Sequence, residues 1–588
     1  MSDDSQATTK TTRNSTALGL SGLVGHKVVA QMIQPLLADM RVMAGFSFVI
    51  NVLALAVPIF VLQVYDRVVA YGGLSTLTGL TLGVAIAILF DFLLRNARGA
   101  LLRRGAVEID AALARAFFAR LTRLPLHLLS RRSTAGWVQV ERDLAALRDM
   151  LAGPPAILLI DLPFVLLFVL VVWIIAPPVA PILTLMVPVF IAVSYAMTRL
   201  IDRASVAERE VTVERQRLMQ ELIRGRQTIK ALNLAKPLTN RFEAQEAAAI
   251  DAASTRGALT DRATHLGLSL SMSTTVILTV FGSLAILDQQ MTIGGLIATN
   301  MLAGRIVQPM NQLMGLWRTF ARGRLAAGRV GALLEEQPDD RPQAITHADP
   351  EGVLALQYAS LTYPGQNTPT LDNLTCTFKP GSVTGIIGPN GSGKTTLLNC
   401  LLGLYTPDQG TVLLDGHDMA QFTRDELAQW IGYVPQEPFL FDDTIADNIR
   451  AGRENIDDPA ILTAAEAAGL SRFIGTDGEG FARKAGDGGS ALTPGQRQAV
   501  SVARALAGTP RILIMDEPTA NLDLPGEQAL AKSLQKAAAS GHTIIVVTHA
   551  AGLINACDQL LLLDQGKIRD HGPRTEVANR LRGNGGSA

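Results

Sequence analysis

The sequence predicts a chain of two parts, an all-α transmembrane domain of six helices followed by an α/β domain. Three observations predict this fold. The N-terminal half contains six apolar stretches, each close to the roughly 20 residues that a helix needs to cross a bilayer. In the C-terminal half, the apolar strand 383–387 leads directly into a Gly-rich loop at 388–395. A second apolar strand, 512–515, ends in the carboxylates Asp516 and Glu517.

The composition agrees with a membrane protein. Of the 588 residues, 48% are hydrophobic and only 18% are charged, below the roughly 25% charged residues of soluble domains. The net charge is zero, so we expect no nucleic-acid partner, and membrane lipids surround the first half. Cys376, Cys400 and Cys557 have no metal-ligand spacing, which predicts reduced, buried thiols and no disulfide framework.

The positions of basic residues predict the topology of the six spans. The connections after the second and fourth spans are long and rich in arginine, whereas the others are short and carry almost no basic charge. The positive-inside rule therefore places both termini and both long connections in the cytoplasm. The last span is the weakest, because Arg305 and Gln308 interrupt it. The predicted spans are 42–63, 74–94, 154–175, 179–198, 265–287 and 291–313.

The two long connections are predicted to be helical extensions of the spans. Residues 109–124 and 204–223 show helical apolar spacing with charged opposite faces. We expect the helices to continue past the bilayer and to turn near 130–139 and 230–241. These turns would then face the second domain.

Some residues within the spans are unusual for a membrane. Asp91 and Asp161 lie in or near spans, and a charge inside a membrane suggests a functional site. The alternative, which we favour, is that both lie near helix ends or inside the bundle, paired with arginine. Pro58, Pro163 and Pro188 predict kinks, which are tolerated where neighbouring helices satisfy the freed carbonyls.

The Gly-rich loop reads Gly-Pro-Asn-Gly-Ser-Gly-Lys-Thr and lies between a strand and a helix, 395–402. In that context backbone N–H groups and the helix N-terminus hold phosphates, Lys394 reaches the outer phosphates, and the Thr395 hydroxyl binds Mg²⁺. Asp516 would lie near the same Mg²⁺, with Glu517 beside the attacking water. These motifs predict a P-loop (RecA-like) domain that binds ATP and Mg²⁺ and hydrolyses ATP.

From about residue 42 to the C-terminus the chain resembles the ABC transporter ATPase family. The resemblance implies that Tyr363 stacks on adenine, that Gln436 of the Q-loop contacts Mg²⁺ and water, and that His549 contacts the γ-phosphate. Residues 521–523 match the D-loop at a dimer interface. For Tyr363 and His549, a purely structural role is the alternative. The implied fold adds a helical subdomain to the α/β domain.

The predicted site residues fall into three groups. The ATP contacts are Tyr363, Gly388, Pro389, Asn390, Gly391, Ser392, Gly393, Lys394, Thr395, Thr396, Thr493, Gly495, Gln496 and Asp523. The metal ligands are Thr395, Gln436 and Asp516, and the catalytic residues are Glu517, His549 and Gln436.

The signature motif departs from the family pattern. The family usually reads Leu-Ser-Gly-Gly-Gln, and residues 492–496 read Leu-Thr-Pro-Gly-Gln. Pro494 lacks an N–H, so one donor to a partner subunit's γ-phosphate is lost. Proline nevertheless suits the first helical position, and Thr493 with Gln496 forms a capping-box pattern. We expect weakened but functional ATP binding at the dimer interface, with an asymmetric heterodimer as the alternative.

Two of the predicted spans indicate a particular subgroup of the family. Residues 51–69 and 152–174 resemble the first and third spans of bacterial type I secretion ATPases. The resemblance implies a homodimer in the bacterial inner membrane that exports an unfolded polypeptide with a periplasmic membrane fusion protein and an outer-membrane channel. The region 1–40 is too short for a peptidase domain and contains no cysteine, so we expect a substrate with an uncleaved C-terminal signal.

The predicted domains are a cytosolic tail at 1–40, the transmembrane domain at 41–335, a linker at 336–352 and the nucleotide-binding domain at 353–588. An exporter of lipid, glycan or small molecules with the same architecture is the main alternative function. Six spans oppose a non-transporting ABC ATPase. Intact Glu517 and His549 oppose a receptor that uses ATP binding only as a switch.

Overall fold

The structure, a computed structural model, describes residues 26–27, 29, 37–132, 134–339, 349–453, 456–474 and 479–584. Contacts divide the chain into two compact units. The membrane unit consists of Met1–Thr122 and Arg132–Gln337, and the C-terminal unit of Arg123–Arg131 and Pro338–Ala588. This division falls inside the predicted linker, and we call the short segment Arg123–Arg131 the tip. Most of the predicted tail 1–40 lies outside the described residues.

The membrane unit is entirely helical in its described residues. A π-helical turn, Val64–Val69, extends the second helix. The helices are α1 Leu37–Leu53, α2 Ala56–Gln63, α3 Leu74–Arg123, α5 Thr134–Ala152, α6 Pro154–Asp161, α7 Phe164–Ile175, α8 Ala180–Arg224, α9 Arg226–Ala231, α10 Ala235–Leu287 and α11 Ile293–Glu335; α4, Leu126–Ser130, belongs to the tip.

Five helical segments of the described chain are long and apolar enough to cross a membrane. The sixth predicted span lies in α11, which does not reach that level of hydropathy. Its apolar residues Ala298, Leu302 and Ile306 are at most 1% exposed, and α11 packs against α2, α5, α7, α8 and α10. A helix surrounded by other helices needs little apolar surface toward lipid, so its polar residues are tolerated. The five segments are Asp39–Val69, Leu74–Arg123, Gly136–Ile175, Ala180–Arg224 and Ala235–Leu287.

The predicted helical extensions are confirmed, since α3 and α8 run unbroken through 109–123 and 204–223. The turns begin several residues earlier than predicted but overlap the predicted ranges, since α5 starts at Thr134 and α10 at Ala235. Pro125 has extended backbone angles and disfavours helix in the residue before it, so α3 ends at Arg123. At the second turn, α8 ends at Arg224, directly before Gly225, a poor helix former.

The two aspartates of the spans are paired with arginine, as expected. Asp91 accepts from Arg95 Nε at 2.7 Å. Asp161 accepts from the buried Arg98 at 2.9 Å, and Asn51 Nδ2 donates to the same carboxylate at 3.4 Å. Of the predicted kinks, Pro58 and Pro163 adjoin breaks between helices, whereas α8 runs through Pro188 without a break.

The C-terminal unit is an α/β domain built on two sheets. Its main sheet has the order β10-β9-β3-β8-β7-β6, and all neighbouring strands from β9 to β6 run parallel. A smaller antiparallel sheet has the order β2-β1-β4-β5. The strands are β1 Leu354–Leu361, β2 Leu371–Phe378, β3 Ser382–Ile387, β4 Gln409–Leu414, β5 His417–Asp418, β6 Ile431–Val434, β7 Ile512–Asp516, β8 Thr543–Val547, β9 Gln559–Asp564 and β10 Lys567–Pro573.

Both faces of the main sheet are covered. In β7, Ile512 and Ile514 join one apolar core, while Leu513 and Met515 join the other, because successive side chains point to opposite faces. Continuous apolar strands are typical of a parallel sheet buried on both sides. The helices of this unit are α12 Lys394–Leu401, α13 Arg424–Trp430, α14 Ile445–Arg450, α15 Asp458–Ala467, α16 Pro494–Leu506, α17 Leu524–Ala539, α18 Ala551–Ala556 and α19 Arg574–Asn584.

Candidate nucleotide-binding site

The predicted motifs follow four adjacent parallel strands at their carboxyl ends. The loop 388–395 follows β3, His549 comes two residues after β8, Glu517 directly follows β7, and Gln436 comes two residues after β6. The strands lie in the order β3-β8-β7-β6. The carboxyl ends of parallel strands form one edge of a sheet, where such folds bind ligands. Gln436 is exposed at this edge.

The phosphate loop is tightly folded around the side chain of Lys394. Its Nζ donates to the carbonyls of Gly388 at 2.8 Å and Pro389 at 3.0 Å. Gly393 precedes α12 with φ +99°, and a Cβ there would lie 3.0 Å from the Thr370 carbonyl. Glycine is therefore required at this position for both backbone conformation and space. The N-terminus of α12 lies at the open end of the loop, and a helix N-terminus is suited to binding an anion.

The predicted metal ligands Thr395 and Asp516 are in contact. The Thr395 hydroxyl donates to Asp516 Oδ2 at 2.9 Å, and Asp516 is 2% exposed. Burial raises the pKa of Asp516, and the charge of Glu517 raises it further, while the Thr395 bond and the Lys394 charge lower it. Burial next to Asp516 also raises the pKa of Tyr433 to about 12. The site thus concentrates negative charge where a cation would be stabilised.

Glu517 is held in an unusual backbone conformation. Its φ is +46°, in the left-handed region that non-glycine residues occupy at a cost of about 1–3 kcal/mol. Its amide donates to the Val547 carbonyl of the neighbouring strand at 2.9 Å. His549 Nε2 lies 3.9 Å from Glu517 Oε1. Two of the three side chains predicted to be catalytic are therefore brought together, with Glu517 half-buried and His549 exposed.

Tyr363 lies beside the helix that begins in the phosphate loop. Its hydroxyl is 3.2 Å from Thr396 Oγ1, and its ring meets that of Tyr405 edge-on with centroids 5.5 Å apart. Tyr363 is half-buried, so part of its surface remains accessible to a ligand. An aromatic face is suited to stacking on adenine.

The signature motif forms the capping box predicted for it. Pro494 is the first residue of α16, Gln496 N donates to Thr493 Oγ1 at 3.3 Å, and Thr493 N donates to Gln496 Oε1 at 3.0 Å. A Cβ on Gly495 would lie 2.8 Å from the Asn521 carbonyl, so the signature adjoins the D-loop. No hydrogen bond among the described residues joins the start of α16 to the loop 388–395.

Asp523 has a local structural role. It caps α17, where Oδ1 accepts from Gly526 N at 2.9 Å. This contact satisfies an amide at the helix start and attaches the end of the D-loop to α17.

Sequence reasoning missed the residues that support the motifs. Arg504, near the end of α16, donates to the Asn448 carbonyl at 2.7 Å and to the Phe439 carbonyl at 3.0 Å. Asn448 is 2% exposed and both accepts from and donates to the main chain of Phe441. This network joins the signature helix to the segment after Gln436. In the sequence, Arg504 is only one polar residue of an amphipathic helix.

Each of the two units matches the model of a known protein family. Residues 40–310 match the family model for the ABC transporter transmembrane region, and residues 371–520 match that for the ABC transporter. The exotoxin translocation ATP-binding protein PaxB of Pasteurella aerogenes is 30% identical over 532 residues, which cover 90% of this chain and 74% of that protein. The chain belongs to the ABC transporter family. It is an ATP-binding exporter whose transport is driven by ATPase activity.

Other ABC proteins align over a similar length. The alpha-hemolysin translocation ATP-binding protein HlyB of Escherichia coli is 29% identical over 90% of this chain and 75% of its own length. The leukotoxin export ATP-binding protein LtxB of Aggregatibacter actinomycetemcomitans is 28% identical over 91% and 76%, respectively. The structure of a bacterial Atm1-family ABC exporter with ATP bound matches with a TM-score of 0.81 at 23% identity, covering 93% of this chain and 97% of that one. This last likeness confirms the fold.

Proposed function

We propose that this ABC exporter is the ATPase and permease of a bacterial type I secretion system. It would form a homodimer in the inner membrane, with both termini in the cytoplasm, and export an unfolded polypeptide. A periplasmic membrane fusion protein and an outer-membrane channel would complete the path. The observation that carries this proposal is the alignment, over about nine-tenths of the chain, with proteins named for the translocation or export of hemolysin, exotoxin and leukotoxin.

The membrane unit offers a second line of support. The two stretches that resemble type I secretion ATPases, 51–69 and 152–174, are linked in the structure. Asn51 Nδ2 donates to Asp161 Oδ1 at 3.4 Å, and Arg98 binds the same carboxylate. A part-buried hydrogen bond between these stretches, to a carboxylate that also pairs with Arg98, gives a physical reason why their residues occur together. Buried ion pairs that lose one partner are costly, which restricts substitution.

We further propose how the C-terminal unit acts on ATP. The loop 388–395 would bind the phosphates, Tyr363 the adenine, and Glu517 would accept a proton from the attacking water, with His549 at the γ-phosphate. Thr395, Asp516 and Gln436 offer only oxygen or amide ligands, which suit Mg²⁺. When bound, Mg²⁺ supplies charge that stabilises the phosphoryl oxygens. Each ATP would lie between this site and Thr493, Gly495 and Gln496 of a second copy.

The decisive experiment traps the exporter in its native membrane. Glu517→Gln should abolish steady ATPase turnover and keep ATP binding, because it removes the proton acceptor and leaves the phosphate loop intact. The trapped protein is cross-linked with ATP present, purified and identified by mass spectrometry. Lys394→Met, which weakens phosphate binding, is the matched control and should not accumulate the trapped complex.

The outcomes separate the candidates. A periplasmic adaptor with a large secreted polypeptide supports type I secretion. A second ABC chain would replace the homodimer by a heterodimer. Recovery of this chain with lipid alone contradicts polypeptide export and favours a lipid or small-molecule exporter. Continued turnover by Glu517→Gln contradicts the assignment of the catalytic base.

A further inference from the structure

Neighbouring helices cover one side of the membrane segment of α11 and leave the other side open. The covered residues between Ala298 and Met310 are at most 4% exposed. The exposed residues of this segment lie within about 100° of one another around the helix, and only the methionine among them is apolar. They are Met301, Gly304, Arg305, Gln308 and Gln312.

Arg305 lies inside the membrane and has no partner of opposite charge. It comes 12 residues after Ile293, the first residue of α11, and so about 18 Å along the helix axis. The hydrocarbon core of a bilayer is about 30 Å thick. Arg305 forms no ion pair with any residue that the structure describes. An unpaired charge at this depth requires water, so the open side of α11 faces water and not lipid.

A polar stripe on α10 adjoins the open side of α11. Thr275, Thr279 and Ser283 recur every four residues and are exposed. Each of these hydroxyls donates to the carbonyl four residues before it and can still accept a hydrogen bond. Asn300 Nδ2 donates to Thr279 Oγ1 at 3.3 Å, which joins the two polar surfaces. The Oδ1 atoms of Asn300 and Asn311 accept no hydrogen bond from the described residues, so water is their remaining partner.

The same helix α10 has a second exposed side of opposite character. Met272, Val276, Val280 and Leu284 also recur every four residues, and they are 52–69% exposed. Each follows directly after a residue of the polar stripe's spacing, which turns this side by about 100° around the helix. Apolar residues of this kind face lipid in a membrane protein. The two exposed sides of α10 therefore meet two different surroundings, lipid on one side and water on the other.

The charge along the two polar surfaces is positive only. Neither residues 265–287 of α10 nor α11 before its last residue, Glu335, contain an aspartate or a glutamate. Arg305 therefore has no nearby carboxylate on these helices to neutralise it. An arginine in surroundings of low dielectric constant attracts carboxylates and repels lysine and arginine. The neutral hydroxyl and amide groups can bond to any peptide group.

We propose that these residues form the wall of a water-filled path for the exported polypeptide, and that Arg305 makes the path favour acidic over basic segments. The inference rests on the function proposed above. Hydroxyl and amide groups replace the water around an extended backbone without reading its sequence, whereas Arg305 discriminates by charge. We call the following residues the polar wall: Thr275, Thr279, Asn300, Arg305, Gln308 and Gln312.

The first measurement asks whether water reaches the polar wall. Single cysteines are introduced into the nucleotide-free, full-length exporter in lipid nanodiscs and treated with a charged, water-soluble maleimide. Thr279→Cys and Gln308→Cys should react, whereas Val280→Cys should not, because lipid excludes the reagent. Thr279 and Val280 are adjacent and thus matched in depth. The natural cysteines are buried and do not interfere. Equal labelling of Thr279→Cys and Val280→Cys would overturn the proposal.

The second measurement tests the selectivity with two unstructured Gly-Ser peptides of equal length, one with spaced aspartates and the other with spaced lysines. The aspartate peptide should protect Gln308→Cys from the maleimide at an about tenfold lower concentration than the lysine peptide, the factor expected for a charge-assisted hydrogen bond. Adding Arg305→Gln should abolish this difference, and Arg305→Glu should reverse it. Arg103→Gln, which changes an exposed arginine of α3, is the control and should preserve the difference.

The outcomes distinguish the polar wall from the proposed function. Equal protection by both peptides in the exporter that retains Arg305 would show that this residue does not select by charge. Protection by neither peptide, with Thr279→Cys still reactive, would contradict polypeptide export itself and the selectivity with it. Failure of both Thr279→Cys and Gln308→Cys to react would mean that protein or lipid covers the wall, which overturns the inference whatever the substrate is.

Discussion

Restoring a backbone donor at position 494 should strengthen ATP binding between the two copies of the proposed homodimer. At the start of α16 the amides of Thr493 and Gln496 are already used by the capping box. Proline contributes no N–H, so the amide of Gly495 is what remains in this turn for a phosphate oxygen. Pro494→Ala would raise the number of such donors from one to two. Alanine adds no atom that proline lacks at Cβ, so it fits without a clash.

The size of the effect follows from two opposing contributions. A hydrogen bond to a charged phosphate contributes about 1.5–3 kcal/mol. Loss of the restricted proline backbone costs about 0.4–1 kcal/mol. The net gain of about 1–2 kcal/mol corresponds to a KM for ATP that is lowered about five- to thirtyfold. Pro494→Gly restores the same N–H with a more flexible backbone, so we expect the same direction with a smaller change.

The assay is steady-state ATPase activity as a function of ATP concentration in the purified exporter. Pro459→Ala changes a proline in the first turn of α15 and is the matched control, with no expected effect on KM. The reasoning is refuted if both Pro494→Ala and Pro494→Gly leave KM at the wild-type value. That result would also remove the reason to suspect a heterodimer with one weakened site.

Three further predictions concern stability and accessibility. Arg98→Leu removes the arginine partner of the partly buried Asp161 carboxylate and should cost about 1.5–3 kcal/mol, whereas adding Asp161→Leu should recover much of the loss. Equal thermal destabilisation by the single and double variants would contradict this. Gly294→Ala places a Cβ 2.6 Å from Asp66 Oδ1 and should destabilise the membrane unit by about 1–3 kcal/mol. In the control Gly304→Ala the new Cβ has no atom within 4 Å, so this variant should have the melting temperature of the wild type. Burial raises the pKa of all three cysteine thiols to about 12, so a maleimide should label them at neutral pH only after unfolding, and rapid labelling of the native exporter would count against that burial.

The motifs of the nucleotide site could be predicted because each one is local. The phosphate loop needs only its own glycines, one lysine and the strand before it, and the α16 capping box lies within Thr493–Gln496. The strand order then brings separate motifs to one edge of the sheet, since parallel strands end together. Even the contact of 3.9 Å between Glu517 and His549 follows from two neighbouring strands, β7 and β8.

Features that depend on distant partners could not be predicted. Arg504 has no motif of its own, and its role arises only from its contacts with the carbonyls of Asn448 and Phe439. The turns begin earlier than predicted because helical periodicity continues across Pro125 and Gly225, where the backbone nevertheless stops the helix. Charge alone predicts that Asp91 and Asp161 pair with arginine. It does not identify Arg98 as the partner of Asp161, because only the packing of the helices brings these two residues together.

The polar character of α11 has a consequence for how the exporter is made. A segment interrupted by Arg305 and Gln308 is a weak signal for the machinery that partitions nascent helices into lipid by their hydropathy. α11 follows α10 after a very short loop, and Asn300 Nδ2 donates to Thr279 Oγ1 of α10 at 3.3 Å. We therefore expect the two helices to enter the bilayer together as a hairpin. The insertion of α11 would then require that α10 has already been synthesised and remains in the bilayer.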